Sequence, residues 1–97
     1  MVETNLTEVL AALADPVRLA IVRGLAEQTE AQACGTFSYL GVSPSTLSHH
    51  FKVLREAGVI ETEPYGHQRL NTLARASLDA KYPGLLDSVL SASAVRA

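Results

Sequence analysis

The sequence holds one cysteine, Cys34, and no tryptophan, and its large aromatics are three tyrosines and two phenylalanines. A lone cysteine permits neither a disulfide within the chain nor a thiolate-rich metal cage. With so few aromatics the core falls to Leu, Val, Ile and Ala. In 97 residues that makes one small domain, of a size often stabilised by association with a second copy. No apolar run approaches the roughly 20 residues of a membrane span. The N-terminus also lacks the basic and apolar regions of a secretory signal, so a cytoplasmic location is expected. Nor is there an excess of positive charge, since 8 Lys and Arg face 10 Asp and Glu, a net charge of −2. That excludes a strongly basic, indiscriminate nucleic-acid binder but not DNA binding, because the placement of the charges decides. The acid gathers early, in Glu3, Glu8, Asp15, Glu27 and Glu30. Lys52, Arg55 and Arg69 come later with His49, His50 and His67, offset by Glu56, Glu61 and Glu63. No phosphate-cradling glycine loop and no pair of acid–base carboxylates occurs. Ser48 and His49 are helix neighbours that cannot face each other, so they make no triad with Asp79. An enzyme is not expected, and no cofactor is implied.

What is present centres on Ser43 to Gly58, SPSTLSHHFKVLREAG. Ser43 can cap a helix, and Pro44 suits its first position, where φ is pre-set and no N–H is needed. Gly58 is the residue type favoured just past a helix end. Leu47, Phe51 and Leu54 recur at helical spacing and form a face to be buried. Ser45, Thr46, Ser48, His49 and Lys52 point the other way, with no acid among them. Hydroxyls and imidazole on such a face reach base edges in a major groove, and first-turn N–H groups meet phosphate. The stretch reads as a DNA recognition helix.

The rest of the chain arranges itself around that helix. Residues 5–14 form a first helix, capped by Thr4 or Asn5, with Leu6, Val9, Leu10 and Leu13 as an apolar stripe. The stripe suits either the core or a dimer seam. Asp15-Pro16 starts a second helix that runs to about Glu27 and buries Val17, Ala20, Ile21, Gly24 and Leu25. Residues 28–33 read as an irregular connector. Residues 36–40 form a helical turn anchored by Phe37 and Leu40, and Gly41-Val42 follows. Together 36–58 make a helix-turn-helix, with Val42 filling the gap between its helices. Beyond Gly58 come two runs of alternating character, 59–63 and 69–73, around the turn residues of 64–68. They predict a hairpin wing over 59–73 whose tip, at Gly66, His67, Gln68 and Arg69, can reach the DNA backbone or minor groove. A helical turn over 74–81 and a final helix over 83–93 complete the chain. That last helix carries Leu85, Leu86, Val89 and Leu90, which need a partner surface. Taken with Leu6, Val9 and Leu10 of the first helix, these are the residues assigned to dimerisation.

Ala12-Leu13-Ala14-Asp15-Pro16-Val17-Arg18-Leu19-Ala20-Ile21, followed by the run from Ser43 to Ile60, closely resembles the ArsR/SmtB family of bacterial winged helix-turn-helix repressors. With the wing, the resemblance covers nearly the whole chain. It implies a mainly α fold with a small β-hairpin, dimerising through its N- and C-terminal helices. It also implies recognition helices that enter successive major grooves of an imperfect palindrome, and release of DNA on binding an effector. The chain departs from the family's metal sensors. Where their heavy-metal pattern has three cysteines, it offers Gln32, Cys34 and Phe37. No histidine follows His67 to join Asp79 or Asp87 in a zinc-type site on the last helix. One thiolate or two unaided carboxylates make a poor metal site, so no metal is expected.

Adjacent helical residues diverge by about 100°, so His49 and His50 do not share an ion. His50, beside Leu47 and Leu54, is expected to be partly buried and hydrogen-bonded, while His49 contacts DNA and Lys52 a phosphate. Arg18 is expected to be solvated or ion-paired, with a phosphate contact as the alternative. Cys34 lacks a nearby cation to lower its pKa and is expected to be inert, with a thiol sensor as the alternative. The sequence thus reads as a DNA-binding transcriptional repressor. The alternative is a winged-helix module that dimerises without DNA, favoured only by the acidic balance.

Overall fold

Local capping chemistry sets most of the helix boundaries. The computed structural model describes residues 5–28 and 30–94. Helix α1 (Leu6–Leu13) begins at Asn5, whose side-chain oxygen accepts the Glu8 N–H at 2.9 Å. Helix α2 (Pro16–Glu27) follows after two residues. One carboxylate oxygen of Asp15 accepts the N–H groups of Val17 and Arg18 at 2.9 and 3.0 Å, and Pro16 occupies the first helical position. Helix α3 (Pro44–Glu56) is capped by Ser43, whose Oγ accepts from the Thr46 N–H. Its far end closes on Gly58 at φ 81°. There the Gly58 N–H reaches Arg55 O and the Val59 N–H reaches Leu54 O, both at 3.0 Å. This is the paired closure that a left-handed glycine allows. Leu54 and Val59, brought together by it, are both fully buried.

A 3₁₀ helix (Cys34–Leu40) precedes α3 and ends on Gly41 at φ 79°. Val42 packs on the edge of the core, so this helix, the Gly41 turn and α3 form the expected helix-turn-helix. Two antiparallel strands, β2 (Ile60–Tyr65) and β3 (Gln68–Leu73), form the wing. Helices α4 (Arg75–Lys81) and α5 (Leu85–Ala94) complete the chain. The core gathers Val9, Ile21, Val22, Phe37, Phe51, Leu54, Val59, Ile60 and Leu86 from nearly every element. Phe37 and Phe51 meet at its centre, with ring centroids 5.6 Å apart. The molecule is a mainly helical winged helix-turn-helix.

The structure corrects the expectation in three places. The connector holds a short strand, β1 (Gln32–Ala33), which pairs with β3 and makes a three-stranded sheet in the order β1-β3-β2. The buried Asn71 side chain fastens it, donating to Gln32 O at 2.9 Å and accepting from the Thr62 hydroxyl at 2.8 Å. The hairpin loop is shorter than the expected five residues, because Pro64 and Tyr65 belong to β2 and Gln68 to β3. Strand β2 lies at the sheet edge, where the missing N–H of Pro64 costs no ladder bond. Finally, Val9 and Leu86, assigned to dimerisation, are enclosed by the chain's own core at 1% and 2% exposure and offer a partner no surface.

Candidate nucleic-acid interface

The polar face of α3 stands out because its opposite face is anchored. Leu47, Phe51 and Leu54 are buried, and Ser45, Thr46, Ser48, His49 and Lys52 are all exposed. Ser45, Ser48, His49 and Lys52 follow at i, i+3, i+4 and i+7, a strip of about 10 Å at the helical rise. The first turn is tied internally. Ser43 Oγ donates to Thr46 Oγ1 at 2.8 Å and lies 3.3 Å from Ser45 Oγ. With its oxygen occupied in this way, Thr46 has its own hydroxyl hydrogen free to meet an acceptor. Among the described residues neither Ser48 nor Lys52 has a side-chain hydrogen bond or ion pair. The face thus sits on a helix anchored by its caps and its buried side, with Ser48 and Lys52 left to solvent.

The wing presents its residues differently from the sequence expectation. Gly66, at φ 63°, is the first of a two-residue loop, and among the described residues no non-glycine residue has positive φ. That is the pattern of a type II′ hairpin turn. His67, Gln68 and Arg69 are exposed, but strand alternation separates the last two. Arg69 pairs with Pro64 and shares a face with Thr62 and Asn71. Gln68 pairs with Tyr65 and shares the opposite face with Glu61 and Glu63. Two exposed tyrosines escaped the sequence reading, Tyr65 beside the tip and Tyr39 on the 3₁₀ helix. Only their position next to a turn could have flagged them.

Behind α3 lies a polar cluster. Arg18, at the start of α2, donates through Nε to Ala12 O at 2.6 Å and through Nη2 to Ala11 O at 3.3 Å. Its Nη1 lies 3.1 Å from His50 Nδ1. Arginine only donates, so Nδ1 is the acceptor and the ring proton sits on Nε2. Asp15 Oδ2 lies 4.0 Å from the same Nδ1. The Arg18 N–H bond holds the Asp15 carboxyl below its ordinary value. Partial burial opposes this, and the Arg18 charge assists. Arg18 is therefore held by three contacts while remaining half-buried, and His50 is hydrogen-bonded and largely covered, as expected.

Residues 15–62 match the family model described as bacterial regulatory protein, arsR family. An uncharacterized HTH-type transcriptional regulator of Bacillus subtilis, YceK, is 31% identical over 84% of this chain and 83% of its own. The chain belongs to the ArsR family. Among solved structures, the transcriptional repressor BigR from Xylella fastidiosa is similar at 30% identity and TM-score 0.61, over 78% of this chain and 84% of its own. Rv0081 of M. tuberculosis is similar at 31% identity and TM-score 0.64, over 92% of each chain. The protein is thus a transcriptional regulator with an ArsR-type DNA-binding fold.

As an ArsR-family protein it carries a further apolar surface. A groove between α1, the start of α2 and α5 is lined by Leu10, Leu13, Ala14, Leu19, Val89 and Ala92. Leu6 and Leu10 are 46% and 43% exposed, and Leu85, Val89 and Leu90 are half-buried. The backbone of Cys34 opens the 3₁₀ helix, while its side chain lies outside the described residues. Among the described residues no three His, Cys, Asp or Glu side chains converge as a metal site. None of the described helices is long and apolar enough to cross a membrane.

Proposed function

We propose that this regulator is a homodimeric repressor that reads an imperfect palindrome. The observation that carries the reading is the α3 face, where Ser45, Thr46, Ser48, His49 and Lys52 stand exposed on a helix capped at both ends. Ser43 takes the Thr46 N–H and Pro44 has none, so the Ser45 N–H is the first-turn donor left for phosphate, Lys52 supplies a backbone contact, and Ser48 and His49 supply base contacts. Gly66, His67 and either Gln68 or Arg69 follow the backbone beside the groove. The groove between α1 and α5, with Leu6, Leu10, Leu85, Val89 and Leu90 around it, is where a second copy packs. A net charge of −2 makes non-specific affinity weak, so two linked recognition helices supply what a single basic domain would. The similarity to a transcriptional repressor, BigR, favours repression over activation.

Fluorescence anisotropy tests this, with the protein titrated into DNA from upstream of its own gene and into a scrambled duplex across a salt series. Tight binding to the upstream DNA alone is expected, the logarithm of the affinity falling linearly with the logarithm of salt concentration. Should that duplex fail, selection from random-sequence DNA follows. Failure of both overturns the DNA reading in favour of the protein-interaction module.

A further inference from the structure

We infer that Arg18 and His50 are a positioning pair that sets the rotation of α3 about its own axis, and with it the discrimination between DNA sequences. The inference rests on the DNA-binding reading of α3 and assigns that face its support. Apart from the Asp15 carboxylate 4.0 Å from His50 Nδ1, the other contacts that hold α3 to α1 and α2 among the described residues are apolar packing around Leu47, Phe51 and Leu54. Such packing turns the apolar face inward, but its attraction is non-directional, so fine adjustment of the roll falls to polar contacts. The Arg18 guanidinium is directional. Two of its nitrogens hold Ala12 O and Ala11 O, carbonyls of the last turn of α1, the second of which also accepts the Ala14 N–H at 3.2 Å. The third reaches His50 Nδ1 at 3.1 Å, 32 residues along the chain. Asp15 steadies the base of the fork by accepting the Arg18 N–H at 3.0 Å. One planar side chain thereby ties the end of α1 and the start of α2 to the middle of α3.

His50 is flanked in sequence by His49 and Ser48 on the DNA-facing side, and Lys52 lies half a turn on. Side-chain tips sit about 5–6 Å from a helix axis, so a roll of about 20° moves them about 2 Å. A base-edge hydrogen bond, with its preferred length within about 0.5 Å, does not survive that displacement. A phosphate contact made by a flexible lysine does. Loss of the pair should therefore lower affinity for the specific site while leaving scrambled DNA bound as before.

The test compares wild type, His50→Leu, His50→Gln and Arg18→Lys on the selected operator and on a scrambled duplex, with thermal unfolding of each. Wild type is the control for the DNA-binding reading of α3. If it discriminates no sequence, that reading falls and the inference falls with it. If it discriminates, His50→Leu and Arg18→Lys should lose about tenfold in the ratio of specific to non-specific affinity, or about 1.4 kcal/mol. His50→Gln, which keeps an acceptor within reach of Nη1, should restore most of it. Nitrogen-15 NMR of wild type should show His50 Nδ1 unprotonated and accepting. An unchanged ratio in His50→Leu overturns the inference. So does a loss that affects both duplexes equally, or one that glutamine fails to rescue while remaining folded.

Discussion

Gly24 lends Phe37 its space: a Cβ placed on Gly24 would stand 2.6 Å from Phe37 Cε1. The ring has little room to retreat, because Phe37 is buried and also packs against Phe51. Two effects of opposite sign therefore compete at residue 24. Helix propensity favours Gly24→Ala by about 1 kcal/mol. Overpacking against a fixed ring costs about 1–3 kcal/mol. The clash should win, and Gly24→Ala should unfold several degrees below wild type in a thermal melt.

His49→Ala with Lys52→Ala should sharply weaken specific DNA binding at unchanged fold stability, since both residues are exposed on α3. Removing one lysine–phosphate contact should reduce the salt slope by about 1. Thermal unfolding should shift by no more than about 0.5 kcal/mol. Unchanged affinity would remove both residues from the interface.

Leu10 and Leu86 should behave oppositely despite their common chemistry. Leu86→Ala leaves a hole in the core and should cost about 2–5 kcal/mol of stability. Leu10→Glu places a charge in the exposed α1–α5 groove and should leave the fold intact while abolishing dimers in sedimentation velocity. A dimer that persists in Leu10→Glu places the interface elsewhere.

Asp15 gives the fold an acid limit. Its folded pKa lies below the ordinary 3.8, so the ionised cap contributes stability that is complete above that value. The contribution is lost as pH falls through the lowered folded value. Asp15→Asn should flatten this part of the stability profile while retaining an N-cap, and Asp15→Ala should cost about 0.5–2 kcal/mol at neutral pH. Urea unfolding at a series of pH values distinguishes them.

Features written in neighbouring residues were legible in the sequence. The ends of α3 are announced by Ser43-Pro44 and Gly58, and its two faces by the spacing of Leu47, Phe51 and Leu54. What needed distant residues was not. Strand β1 is two residues long and carries no alternation; Leu70 and Asn71, far along the chain, make it a strand. The Arg18–His50 contact likewise joins positions with no local signature. Periodicity marked the stripe of α1 without saying which part the chain covers itself, and it covers Val9 while leaving Leu6 and Leu10 open. Pro64 was read as a turn residue because proline is usually excluded from strands, an inference that an edge position defeats.

The hairpin is paired up to Tyr65 and Gln68, immediately flanking its two-residue turn. The wing therefore has no slack, and its reach is a matter of counting. Adding one residue to each strand advances the tip by about 3.3 Å and exchanges the faces to which its side chains point. Adding two to each advances it twice as far and restores them. Relatives whose wings differ in length by an odd number of pairs would thus present opposite sides of the blade to the same stretch of duplex.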